Sequence, residues 1–296
     1  MKVLALITWT PNCEPFWRSL EALGHEVLAV QYDDRPHDRH GELVDLARDY
    51  CPGLIVFVGA YEPSHGQPVP RPDVLRALRE VAPSVLLCGD AADHPWWPVL
   101  EEYHRERCFT VIVGMDGQPE SPIKNFPEGI TLLTPTDHRL FNPLPWEQRT
   151  IRFGMIGGAG HRDVQIQNLV AKGLDFRPGP GGRFYGQFAH LMCQTKLTIN
   201  NARTGTGEHM QVKGRVVEAG MAGCCLLEMR GSPTSLWFEP GVDYLEYGDV
   251  DEAARVAENT PDEVLREIAA RFRYRTLSEH HPGVFWGKVF GKVGIR

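Results

Sequence analysis

The chain has 296 residues, 42% of them hydrophobic and 23% charged, which is enough for two medium-sized domains with separate cores. A net charge of -7 provides no electrostatic footprint for nucleic acid or for an anionic membrane surface. Its seven cysteines show no C-x-x-C and no zinc-type Cys/His spacing, which reads as reduced, buried thiols of a cytoplasmic protein.

Val3 to Ile7 is a continuous apolar run, the pattern of a strand buried on both faces. With Lys2 it is too short for a signal-peptide core, and no later run reaches the length of a membrane span. Phe16, Leu20 and Leu23 mark a helix that stops at Gly24, and Val27 to Val30 is the next strand. Glu42 to Tyr50 predicts a helix, Leu54 to Val58 a strand, Asp73 to Ala82 a helix and Val85 to Cys88 a strand. Two loops at strand ends carry polar side chains: Gly59 to Pro72 with Glu62 and His65, and Gly89 to Trp97 with Asp90, Asp93 and His94. Phe109 to Val113 and Ile130 to Leu133 close the set. Strands and helices alternating at these lengths predict a parallel α/β domain.

Residues 114–129 are rich in Gly and Pro, and Thr134-Pro135-Thr136 and Asn142-Pro143-Leu144-Pro145 are stiff. The domain junction is therefore expected at about 134–149. A second α/β unit opens with the strand Ile151 to Ile156. Gly157-Gly158-Ala159-Gly160-His161-Arg162 follows it and turns into a helix from Asp163 to Lys172. The G-x-G-x-x-G spacing read from Gly158 meets Asp163 where glycine is required, so a nicotinamide or flavin site is disfavoured. The loop still suits backbone N–H groups and Arg162 meeting a diphosphate. Phe184 to Cys193 predicts a helix and Lys196 to Ile199 a strand.

Val212 to Glu228 is the most informative stretch. Val212, Val216, Val217 and Met221 recur at helical spacing, Gly220 and Gly223 suggest close packing and a C-terminal stop, and Cys224 to Leu227 is an apolar strand. Arg215 and Glu218 project from one face of that helix, and Lys213 sits at its start. Cations and free N–H groups at a helix N-terminus suit a diphosphate, and a carboxylate suits a ribose hydroxyl. The competing reading is an i,i+3 surface ion pair of little consequence.

The run Gly214-Arg215-Val216-Val217-Glu218-Ala219-Gly220-Met221-Ala222-Gly223, followed by a strand and by Leu236 to Tyr247, resembles the C-terminal domain of GT-B-fold glycosyltransferases. It is most similar to the spore-maturation-protein (CgeB-like) group, and the likeness covers roughly residues 130–280. The resemblance implies two Rossmann-like domains facing across a cleft. They are an N-terminal acceptor domain over 1–140 and a nucleotide-sugar domain over 141–280, with a helix over 281–296 that returns to the first domain. It makes Glu218 the residue that holds the donor's ribose. The second Glu that many relatives carry eight positions earlier is Met210 here, with Glu208 the nearest carboxylate. The implied activity is transfer of a sugar from a nucleotide-diphosphate sugar, as substrate rather than cofactor, to an unidentified acceptor. A sugar-nucleotide epimerase or hydrolase, or a binding module without turnover, stands as the alternative.

Further along, Asp249-Val250-Asp251 matches a D-x-D metal motif but precedes a helix, and helix capping is the favoured reading. No metal site is expected, so Lys213, Arg215 and Arg162 are the cations expected to meet leaving-group charge, with Gly157 and Gly158 beside them. Thr260-Pro261-Asp262-Glu263 reads as an N-cap, a first-turn proline and an acidic third position. The tail pairs Phe285 with Val289 and Trp286 with Phe290 on one face of a helix. An inverting transfer also needs a general base; Asp90 at a strand end is preferred, with His94 as its companion candidate, and capping of a following helix is the competing role for Asp90.

Overall fold

The computed structural model describes residues 1–8, 14–32, 39–59, 70–91, 97–117, 121–157, 163–178, 185–204 and 206–295. The chain divides into two compact units, Met1–Asp137 with Arg203–Met210 and Pro282–Arg296, and His138–Ala202 with Gln211–His281.

In the first unit, β1 (Lys2–Ile7), α1 (Glu14–Glu21), β2 (Glu26–Gln31), α2 (Gly41–Tyr50), β3 (Leu54–Val58), α3 (Pro72–Val81), β4 (Ser84–Cys88), α4 (Trp97–Arg105), β5 (Val111–Gly114) and β6 (Gly129–Thr131) follow one another. All six strands are parallel, in the order β2-β1-β3-β4-β5-β6. Side chains alternate across a strand, so apolar runs feed two cores at once. Leu4, Ile55, Phe57, Leu86 and Ile112 meet α2, α3 and α4 on one side. Val3, Val56, Val85 and Val111 meet Leu20 of α1 on the other, together with Phe285, Trp286 and Val289 of the last helix, Pro282–Val293. The indole of Trp286 is fully buried and donates to Ser19 Oγ at 2.7 Å.

The second unit runs β7 (Ile151–Gly157), α5 (Asp163–Val170), β8 (Asp175–Pro178), α6 (Tyr185–Cys193), β9 (Thr195–Ile199), α7 (Gly214–Ala222), β10 (Cys225–Met229), β11 (Leu245–Tyr247), α8 (Val250–Asn259) and α9 (Asp262–Glu279). Its five strands are parallel, in the order β11-β10-β9-β7-β8. One face packs Phe153, Met155, Leu197, Ile199, Cys225 and Leu227 against α5, α8 and the start of α9. The alternating residues, Ile156, Thr198, Leu226 and Glu228 among them, therefore face the α7 side. Val216, Val217, Ala219 and Met221 of α7 are buried, and a Cβ at Gly220 would stand 2.0 Å from Thr276 Oγ1 of α9, so glycine permits that approach.

Helix α4, in a stretch that the sequence pattern left unassigned beyond Trp97, buries Leu100 and Tyr103. One expectation from sequence needs correction. Thr260 does not cap α9; its hydroxyl donates back to Val256 O at 2.6 Å, in the last turn of α8. That contact is a feature of a helix end, where a threonine hydroxyl can take up an orphan carbonyl. Pro261 then precedes α9 rather than opening it, and the carboxylate of Asp262 accepts from Lys196 and from the Trp146 indole. Residues 92–96, where a helix capped by Asp90 would begin, lie outside the described residues.

No described helix is long and apolar enough to cross a membrane.

Candidate donor site at a sheet edge

Open parallel sheets present ligands at the carboxyl ends of their strands. In the second unit this edge is formed by Gly157 on β7, Asn200 after β9 and Glu228 near the end of β10, with α7 starting beside it. Lys213 occupies the N-cap of α7 with an extended backbone (φ -70°, ψ 152°), and its side chain does not cap the helix. Arg215, in the first turn, reaches across the edge and donates from Nη2 to Ile156 O at 2.6 Å. This geometry explains Gly157: its φ is +134°, and a Cβ there would stand 2.7 Å from the same Arg215 nitrogen. Glu218, half-buried one turn further on, accepts from the Tyr185 hydroxyl at 2.8 Å. Burial raises the proton affinity of Glu218, while the Tyr185 hydrogen bond and the charge of Arg215 pull it back down.

Sequence reasoning missed three participants. Tyr185 opens α6, stacks on Phe188 with centroids 5.6 Å apart and meets Phe141 edge-on. Glu228 is fully buried, and Asn200 is 1% exposed. The carboxylate of Glu228 accepts from Asn200 Nδ2 at 2.9 Å, Thr234 Oγ1 at 3.1 Å and the Met229 backbone N–H at 2.8 Å. Tyr247 donates its hydroxyl to Asn200 O at 2.8 Å, which ties β11 into the same cluster. Burial pushes Glu228 up to about 7, against the opposing pull of those hydrogen bonds and of Arg215. The signal in the sequence was a lone carboxylate ending an apolar strand, with an Asn pair closing the strand before it.

Gly158, Arg162 and His94 lie outside the described residues, as do Asp93, Glu62 and His65. Asp90, in the first unit, follows β4 with φ +51°, the left-handed region that Asp tolerates better than most residues. Its neighbour Ala91 is held from both sides: the N–H donates to Asp116 Oδ2 at 2.8 Å, and the carbonyl accepts from the Trp97 indole at 3.1 Å. Asp249 accepts from Glu252 N at 2.7 Å and caps α8, while Asp251 pairs with Lys172 at 3.0 Å. Both carboxylates of the D-x-D motif are thus engaged in local structure. Among the described residues no group of three His, Cys, Asp or Glu side chains is gathered closely enough to hold a metal ion.

A comparison with curated proteins finds no match. Solved structures match along nearly the whole chain. Anabaena Alr3699/HepE in complex with UDP and glucose is 12% identical with a TM-score of 0.63, covering 99% of both chains. An alpha-glucosyltransferase in complex with UDP and a 13-mer DNA is 8% identical with a TM-score of 0.64, again covering 99% of both chains. A glycosyltransferase from Rickettsia africae ESF-5 is 5% identical with a TM-score of 0.61, covering 99% of this chain and 97% of that one. The family of glycosyl transferase-like proteins matches residues 141–284. The fold is of the GT-B type, and residues 141–284 are similar to the glycosyl transferase-like family.

Proposed function

We propose that this chain transfers a glycosyl group from a nucleotide-diphosphate sugar to an acceptor held by the first unit, without a metal ion. The arrangement of Gly157, Arg215 and Glu218 at the strand ends of the second unit carries this reading. A guanidinium and the start of α7 meet the diphosphate; Glu218 accepts from the ribose; Gly158, Arg162 and Lys213 complete the donor set. Asp90 takes the acceptor's proton if the reaction inverts, with His94, further along the sequence, as the second candidate. UDP-glucose is the first donor to try, because structural neighbours hold UDP or UDP-glucose. Within the GT-B transferases the Gly214 to Gly223 motif favours kinship with the CgeB-like group.

The test is a thermal-shift screen of nucleotide sugars followed by product analysis. A donor at 100-fold its dissociation constant stabilises by about 2.7 kcal/mol. Release of nucleoside diphosphate with a glycosylated acceptor supports transfer. Free sugar or an epimer supports the hydrolase or epimerase alternative, and binding without turnover supports a non-catalytic nucleotide-sugar-binding module.

A further inference from the structure

To meet a ribose hydroxyl, Glu218 must present an oxygen in a fixed place, yet a glutamate side chain has several rotatable bonds to hold still. The hold comes from the neighbouring helix. Tyr185, the first residue of α6, donates its hydroxyl to Glu218 Oε1 at 2.8 Å. The phenol is itself fixed. It is 8% exposed, lies nearly parallel to Phe188 at an interplanar angle of 22°, and meets the buried ring of Phe141 edge-on. A tyrosine has only two side-chain torsions, and rings on two sides leave it little room to turn. A rigid donor therefore anchors a flexible acceptor. Once Oε1 is tied to the phenol, Oε2 is the oxygen presented to a ligand. The phenol also donates to the charged form of Glu218, which opposes the burial that favours its protonation.

We propose that Tyr185 is a positioning residue for the donor's ribose: its hydroxyl holds the Glu218 carboxylate in the orientation that accepts from the sugar. The proposal rests on the donor-site reading above, in which Glu218 meets the ribose. Without the phenol, the ligand itself must order the glutamate, and part of the binding free energy is lost to that ordering. Packing against Phe141 and Phe188 requires the aromatic ring alone, which phenylalanine supplies equally. The hydroxyl is what reaches Glu218, so removing that one oxygen separates positioning from packing.

The experiment is calorimetric titration of the full chain with UDP and with 2′,3′-dideoxy-UDP, which keeps the base and the diphosphate but lacks both ribose hydroxyls. UDP is used because structural neighbours hold it; if the nucleotide-sugar screen selects another base, the matching pair of diphosphates replaces it. The quantity read is the ratio of the two affinities. Wild type should favour UDP by at least about tenfold, as expected for a hydrogen bond to a charged group. Tyr185→Phe should lower that ratio by about three- to tenfold while binding the dideoxy ligand as wild type does. A change in packing alone would weaken both ligands alike and leave the ratio where it was. A wild-type ratio in Tyr185→Phe therefore overturns the proposal, whatever the melting temperature. Glu218→Ala tests the reading beneath it and should bring the ratio close to one. If Glu218→Ala lowers the ratio and Tyr185→Phe does not, Glu218 meets the ribose unaided and the proposal alone falls. If wild type binds both ligands equally, or Glu218→Ala keeps the wild-type ratio, ribose recognition by Glu218 fails and the proposal falls with it. No binding of any nucleoside diphosphate removes the donor site and the proposal together.

Discussion

Among the described residues Glu218 has one side-chain hydrogen bond, from Tyr185, and a second carboxyl oxygen that it leaves for a ligand. Glu218→Gln keeps an oxygen for Tyr185 and removes the charge. A charge-assisted hydrogen bond to a ribose hydroxyl contributes about 1.5–3 kcal/mol, so UDP-glucose affinity should fall by roughly 10- to 150-fold. The melting temperature should stay close to that of wild type. A large loss of stability with unchanged affinity would make Glu218 a structural residue. Asp90 calls for a different measurement. Its φ of +51° is one that Asn adopts as readily as Asp, so Asp90→Asn leaves the backbone clamp on Ala91 undisturbed. Turnover should drop by about 10²–10⁴-fold while donor affinity holds. Normal turnover in the Asn variant would return Asp90 to a purely conformational role and send the search to His94.

At the scale of elements, α7 is where sequence and structure meet most fully. Its apolar spacing, the close approach at Gly220 and the stop at Gly223, with φ +64°, were legible because each depends on residues a few positions apart. The buried strands Val3–Ile7 and Leu54–Val58 were legible for the same reason. Helix α4 was not, because Trp97 and Pro98 look like loop residues until Leu100 and Tyr103 find the core beneath them. Thr260 was misread because two helices compete for it, and nearness to the last turn of α8 decided the outcome. Glu228 and Asn200 were invisible as a pair, since 28 residues separate partners that strand pairing brings to 2.9 Å. The packing of α7 on α9 yields its own prediction. At Gly220→Ala the new methyl collides with Thr276, a cost of about 1–3 kcal/mol for overpacking. Because α7 carries Arg215 and Glu218, donor affinity should weaken as well. Adding Thr276→Ala removes the hydroxyl and methyl and should restore part of both losses; thermal melts and UDP-glucose titrations of the two variants check this.

For the molecule as a whole, the proposed transfer raises the question of what would neutralise the charge developing on a departing nucleoside diphosphate. Transferases of other architecture meet it with a metal held by a D-x-D pair, and this chain has such a pair in Asp249 and Asp251. Here Asp249 spends its carboxylate on the first turn of α8, and Asp251 is paired with Lys172. Using them for a metal would uncap the helix, at a cost of about 0.5–2 kcal/mol, and break the ion pair. The second unit offers another means at its strand ends: Arg215, the N-terminal N–H groups of α7 and, beside them, Lys213. Nucleoside diphosphate release should therefore be unchanged after exhaustive dialysis against EDTA, and adding manganese or magnesium should not raise it. In parallel, Asp249→Ala should lower the melting temperature while leaving turnover intact, as expected for a lost helix cap. Strict dependence on a divalent ion, lost again in Asp249→Ala and Asp251→Ala, would overturn this account and make the D-x-D pair part of the chemistry.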